Sequence, residues 1–198
     1  MKIHYSHFQY EAGCDEAGRG CLSGPVVAAA VILPGDFDPE LLDDSKKLSE
    51  KKRKELRPLI EQNALAFGVA FVSPREIERT NILKASITAM HRALSKLSVK
   101  PEYILVDGNK FFNYRNIPFA TIVKGDGKYA SIAAASILAK TYRDEYMEKL
   151  HDDYPVYNWK KNKGYPTKEH REALMKYGLS PHHRKTFAPV SQQLKLDL

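Results

Sequence analysis

Four acidic residues of this 198-residue chain stand where they could do chemistry: Asp15, Glu16, Asp107 and Asp126. Each lies among glycines, with Gly13 and Gly18 around the first pair, Gly108 beside Asp107, and Gly125 and Gly127 around Asp126. One acidic residue in a Gly-rich turn is usually a turn former. Three such turns, each after an apolar run, say more if the runs are neighbouring strands. Their ends would then open on one crevice, where sheets flanked by helices place their sites. Carboxylates brought together repel one another and call for a cation, and an all-oxygen donor set favours Mg²⁺ or Mn²⁺. Two such ions, about 3.5–4 Å apart, activate a water and stabilise the leaving oxygen of a phosphodiester. Neighbours on a regular strand point to opposite faces, so Asp15 and Glu16 can share a site only where the strand ends or bulges. The Ala17-Gly18 that follows allows such a break.

Gly18-Arg19-Gly20 comes directly after the acidic pair. Glycines let a backbone approach a ligand with its N–H groups facing phosphate or sugar, and Arg19 adds a charge-assisted donor. Lys46, in Asp44-Ser45-Lys46-Lys47-Leu48, is a candidate phosphate contact. Lys51, Lys52, Arg53 and Lys54 make the helix start that follows strongly basic, and its lysines read as a solvated face. Lys160, Lys161 and Lys163 interleave with Trp159 and Tyr165, the composition of a surface that neutralises phosphates and stacks on a base or sugar. For Trp159 a place in the core competes evenly. His170, His182 and His183 lack metal-site spacing and carry no motif. Cys14 and Cys21 make neither a disulfide framework nor a zinc site, which suits reduced thiols.

The elements that must position these residues follow from the apolar pattern. A short strand over 10–14 leads into the acidic pair. The run from Val26 to Leu33 reads as a buried central strand. Ser49 caps a helix over 50–63, and a strand returns over 64–72, stopped at Ser73-Pro74. Leu83, Ile87, Met90, Leu94 and Leu97 form one helix face. Strands over 103–106 and 119–123 deliver Asp107 and Asp126. A long helix over 128–150 opens with small side chains, which suit close packing against a sheet. Thr167 and Gly178 bound a last helix over 167–177. This order predicts an α/β fold, a mixed sheet covered by helices.

Basic residues outnumber acidic ones 31 to 24, giving a net charge of +7 that permits a polyanionic partner without proving one. Hydrophobic and charged fractions of 43% and 28% are those of an ordinary globular protein. The N-terminus has no signal-peptide core, and the longest apolar stretch, over 21–34, is too short for a membrane span. One domain over 1–198, cytoplasmic and monomeric, is the simplest expectation.

The segments Asp15 to Gly20, Gly24 to Ala30, Asp44 to Leu48, Val106 to Gly108 and Lys124 to Asp126 occur in an order that resembles ribonuclease HII. The resemblance runs on through Ala134 to Lys140 with Arg143-Asp144, Lys163-Gly164-Tyr165, and His183-Arg184 before Phe187. It implies a ribonuclease H-like fold, a mixed five-stranded sheet flanked by helices, with a small helical extension from about residue 150. It also implies hydrolysis of RNA in RNA/DNA hybrids, and of single ribonucleotides in duplex DNA, leaving 3′-hydroxyl and 5′-phosphate ends. Asp15, Glu16, Asp107 and Asp126 would hold two Mg²⁺ or Mn²⁺ ions. Gly18, Arg19 and Gly20 would contact the ribonucleotide 2′-hydroxyl and the scissile phosphate, and Tyr165 would pack on the deoxyribose to its 3′ side. Asp144, mid-helix beside Arg143, is assigned to structure. The competing readings are a carboxylate-cluster DNA nuclease of the same fold and a non-catalytic basic protein that binds duplexes.

Overall fold

The computed structural model describes residues 1–42, 48–188 and 190. Its sheet is built outward from β1 (Glu11–Ala17) and β2 (Val26–Ile32), which pair antiparallel. β2 is the continuous apolar run, and every residue in it is buried because both edges are paired and both faces covered. β3 (Ala66–Val72) pairs antiparallel with its far edge and alternates in burial, as an edge strand with one face on the core does. β4 (Tyr103–Asp107) and β5 (Phe119–Ile122) add in parallel beyond β1, giving the order β3-β2-β1-β4-β5. The mixed, five-stranded, helix-flanked sheet matches the expectation.

β1 departs from it in length. Its pairing with β4 stops at Cys14 opposite Val106, but its pairing with β2 continues to Ala17 opposite Val27. Asp15 and Glu16 therefore lie within the strand, not beyond a strand end at residue 14. The unbroken β2 partner carries the ladder on.

The helices cover both faces. α1 (Glu50–Asn63) starts at Ser49, whose side chain accepts from the Lys52 N–H. α2 (Pro74–Arg79), absent from the sequence expectation, is held by a capping box in which Ser73 and Glu76 satisfy one another's backbone N–H. α3 (Ile82–Leu94) buries Ile87, Met90 and Leu94 against Ala12, Cys14, Ala28 and Ala30. Leu97 also packs there, but from beyond the helix end. On the other face α4 (Ala130–Asp153) and α1 pack on Ala17, Ala29 and Val31. The small residues of α4 bring it down onto the sheet: a Cβ at Gly13 would lie 2.2 Å from the Ser131 carbonyl carbon.

Past α4, a short helix α5 (Trp159–Asn162) and then α6 (Lys168–Tyr177) enclose a third apolar cluster of Leu22, Met147, Leu150, Tyr157, Trp159 and Leu174. Trp159 is wholly buried, which decides for the core and against base stacking. Its indole N–H donates to His170 Nε2 at 3.1 Å, and His183 Nε2 stands 3.1 Å from the same nitrogen. The Ser180 N–H donates to His183 Nδ1, so His183 carries its proton on Nε2 and gives it to His170. His170 Nδ1–H then donates to the Tyr165 carbonyl at 2.9 Å. Burial lowers both imidazoles, His183 to about 3, and both are neutral.

Candidate active site

The C-terminal ends of β1 and β4 and the turn after β1 open on one cleft, lined by Asp15, Glu16, Asp107 and the segment Gly18–Gly20. Asp15 shares its strand face with Ala17, towards α4, and the Ser136 hydroxyl of α4 bonds to it. Glu16 projects to the α3 side, where it and Asp107 also border a smaller recess beside Met90. The two neighbours thus keep opposite faces of one strand, and the cleft reaches both because it wraps the end of the sheet. No bulge is needed.

The acids are crowded. Burial, with the charges of Glu16 and Asp107 added, raises the Asp15 carboxyl well above its ordinary value. Bonds from Ser136 and from the Glu16 N–H, 2.7 Å from Asp15 Oδ1, offset part of this. Glu16 is raised as well, chiefly by burial, with Arg19 countering and Asp107 adding. The Arg19 guanidinium donates to Glu16 Oε1 at 3.0 Å. Asp107 Oδ1 accepts the Gly125 N–H at 2.7 Å, tying the end of β4 to the turn that carries Asp126.

Asp126 is placed differently. It is 1% exposed, has interactions of its own, and is not among the residues lining the cleft. Three of the four expected carboxylates therefore line one cleft, and the fourth is buried in the short 3-10 helix Gly125–Gly127 beside it. Among the described residues no three Asp, Glu, His or Cys side chains close around one point. Such an open, all-oxygen and mutually repelling set fits hard divalent ions, which complete their shells with water and substrate phosphate instead of an all-protein cage.

Gly18, Arg19, Gly20 and Tyr165 all line the cleft. Lys46 lies outside the described residues. Gly18 is fixed twice over, by a φ of +92° and by the Arg143 side chain, whose Nε would lie 2.0 Å from any Cβ there. Tyr165 is exposed, with Lys140 Nζ 5.4 Å from its ring centroid. Asp144 is buried outside the cleft and holds Lys140 Nζ at 2.8 Å.

Three lining residues were missed in the sequence: Arg53, Ser136 and Lys140. The lysines of this helix start read as a solvated face, but Arg53 precedes the buried Leu56 and Ile60 by three and seven residues, one stripe of α1. Ser136 and Lys140, four apart on α4, are the polar breaks in its small-residue stretch.

The model of the ribonuclease HII family matches residues 12–190. A ribonuclease HII of Parabacteroides distasonis is 64% identical over 186 residues, 94% of each chain. Among solved structures, ribonuclease H2 of Pyrococcus horikoshii OT3 superposes with a TM-score of 0.80 at 27% identity, covering 94% of this chain and 97% of that one. The fold is shared with Bst-RNase HIII, solved in complex with Mn²⁺, at a TM-score of 0.76 and 21% identity, over 94% of this chain and 70% of the other.

Proposed function

The chain belongs to the ribonuclease HII family, and from that premise we propose that Asp15, Glu16 and Asp107, joined by Asp126, hold two divalent ions at the cleft. The protein is a ribonuclease H, a metal-dependent endonuclease that cleaves the RNA of RNA/DNA hybrids. Family membership sets aside the DNA-nuclease and non-catalytic readings. The finer assignment includes single ribonucleotides in duplex DNA as substrates, and 3′-hydroxyl and 5′-phosphate ends as products. Mg²⁺ and Mn²⁺ are both candidate ions. A cytoplasmic monomer is part of the same reading, in keeping with two free, buried cysteines.

The observation that carries the assignment is the crowding of three acids with one glycine turn in one cleft. When bound, the ions supply the positive charge that lets these acids ionise together, activate water and stabilise the leaving oxygen. The protein's own groups do the rest. Ser136 holds Asp15 in place, and Arg19 holds Glu16. Arg53 and Lys140 border the cleft where a phosphate backbone would be neutralised. Gly18–Gly20 offers main-chain donors beside the open space over Gly20, and the 2′-hydroxyl is what separates RNA from DNA. Tyr165 offers a ring face to the sugar that follows.

The test is a labelled DNA duplex with one ribonucleotide, incubated with Mg²⁺, Mn²⁺ or EDTA beside an all-DNA duplex. Cleavage 5′ of the ribonucleotide, abolished by EDTA and reduced on the order of 10³-fold in Asp107→Asn, is expected. Full activity in Asp107→Asn would refute the site. Equal cutting of the all-DNA duplex would refute the substrate.

A further inference from the structure

Two large cations in the interior have no part in the mechanism above. Arg143 and Arg184 are both fully buried. Each of their six guanidinium nitrogens donates to a main-chain carbonyl instead of a carboxylate. Arg143 binds the carbonyls of Pro25, Lys163 and Ser23 at 3.0, 2.8 and 3.1 Å. Arg184 binds those of Gly24, Arg19 and Gly18 at 3.0, 2.9 and 2.7 Å. Burial lowers the Arg184 guanidinium only to about 10, so it stays charged at neutral pH. Burying a charge against neutral dipoles costs several kcal/mol relative to water. Apolar side chains would fill the space at less cost, so the carbonyls these cations hold are the place to look for a reason.

Peptide geometry supplies one. In a trans peptide the C=O of one residue and the N–H of the next point in opposite directions. Arg184 takes the carbonyls of Gly18 and Arg19 inward. The N–H groups of Arg19 and Gly20 must therefore point the other way, out of the protein. Both residues are exposed and line the cleft, and the space above Gly20 is open. Arg143 passes beneath Gly18 and also holds Lys163, two residues before Tyr165, so the turn and the aromatic ring share one support.

We propose that Arg184 is a positioning residue for ribonucleotide recognition: by drawing two successive carbonyls inward, it aims the Arg19 and Gly20 amides into the cleft as paired donors for an oxygen of the ribonucleotide. The inference rests on the substrate reading above and assigns its discrimination to a side chain that never touches substrate. A merely stabilising Arg184 would fasten the turn without affecting the choice between ribose and deoxyribose.

The experiment measures binding in the Asp107→Asn background, where cleavage is slow enough for the duplex to stay intact during the titration. The ratio of Kd for an all-DNA duplex to Kd for the same duplex with one ribonucleotide is the readout, because an inactive fraction cancels from it. Arg184→Lys keeps the charge but reaches fewer carbonyls, and Arg184→Gln keeps donors without the charge. Both are made, so that one that fails to fold, by circular dichroism and thermal unfolding, does not decide the matter. In a folded variant the ratio is expected to fall at least fivefold towards unity, with all-DNA affinity within twofold of the parent. The Arg19 and Gly20 amide resonances, which shift on adding the ribonucleotide duplex to the parent, are expected to stop responding. A ratio unchanged in a folded variant, with preference intact in the parent, overturns this inference alone. No preference in the parent overturns the substrate reading with it.

Discussion

The two walls of the cleft follow opposite electrostatic plans. On the strand side three acids crowd together, and burial and mutual repulsion raise Asp15 and Glu16. On the turn side two buried guanidiniums have every nitrogen satisfied by a carbonyl. On the reading proposed above, the first wall awaits cations, whereas the second is complete in the bare chain. On that reading the contrast teaches that the part proposed to react leaves its acids crowded until a ligand relieves them, while the part proposed to recognise substrate is pre-set. Preorganised donors need no rearrangement at the moment of use.

Breaking the second wall should have the larger effect on the fold. Gly18→Ala forces a side chain onto Arg143 at a φ of +92°. A loss of roughly 2–4 kcal/mol is expected, with cleavage reduced beyond what the folded fraction explains. Denaturant unfolding and single-turnover rates read the two separately, and a variant as stable as the parent would show that the turn is soft.

The first wall should respond with a change of sign. Without ions, Asp15→Asn removes the buried member of three crowded, mutually repelling carboxyl groups and is expected to raise the melting temperature. Adding Mg²⁺ or Mn²⁺ to 100 times its Kd should stabilise the parent by about 2.7 kcal/mol and the variant far less. Thermal scans with and without EDTA make the comparison; equal stabilisation of both proteins would remove Asp15 from the ion site.

The smallest effect sharpens the comparison through pH. His183 and His170 are lowered by burial, His183 from 6.5 to about 3. Above pH 6.5 these imidazoles are neutral in both folded and unfolded chains and do not affect stability. Below 6.5 the unfolded chain takes up protons that the folded one refuses, so stability falls as the pH drops towards 3. The slope from His183 is at most about 1.4 kcal/mol per pH unit. Trp159, the single tryptophan, reports on this network directly. Its emission should stay constant from pH 7 to 5 and change only with cooperative unfolding. A separate transition near pH 6.5 that persists in His182→Asn, the other imidazole packed on Trp159, would mean that His170 or His183 titrates inside the fold.

The strands and main helices were legible because their signals are local: a continuous apolar run for β2, a helical step of Leu and Ile for α3, a cap at Ser49. The Ser73–Glu76 capping box is an equally local signal, and it fixes the short helix α2. The extra residues of β1 were not legible, since they depend on β2 lying alongside. Asp15, Glu16 and Asp107 stood out as acids following strands, and the fold brings them together in one cleft. Arg143 and Arg184 could not be found this way. Their partners lie between 20 and 166 residues distant, and nothing about an arginine in sequence says that it will be buried against carbonyls.

That distance has a consequence for synthesis. The turn at Gly18 leaves the ribosome early, but the guanidinium that shapes it follows 166 residues later. At about 5–20 residues per second the delay is roughly 8–33 s. Over that interval the growing chain already holds Asp15, Glu16 and in time Asp107, yet lacks the scaffold that aims the turn. On the proposal above, the support for that turn is complete only once Arg184 has been made, and a chain cut short before it would lack that support.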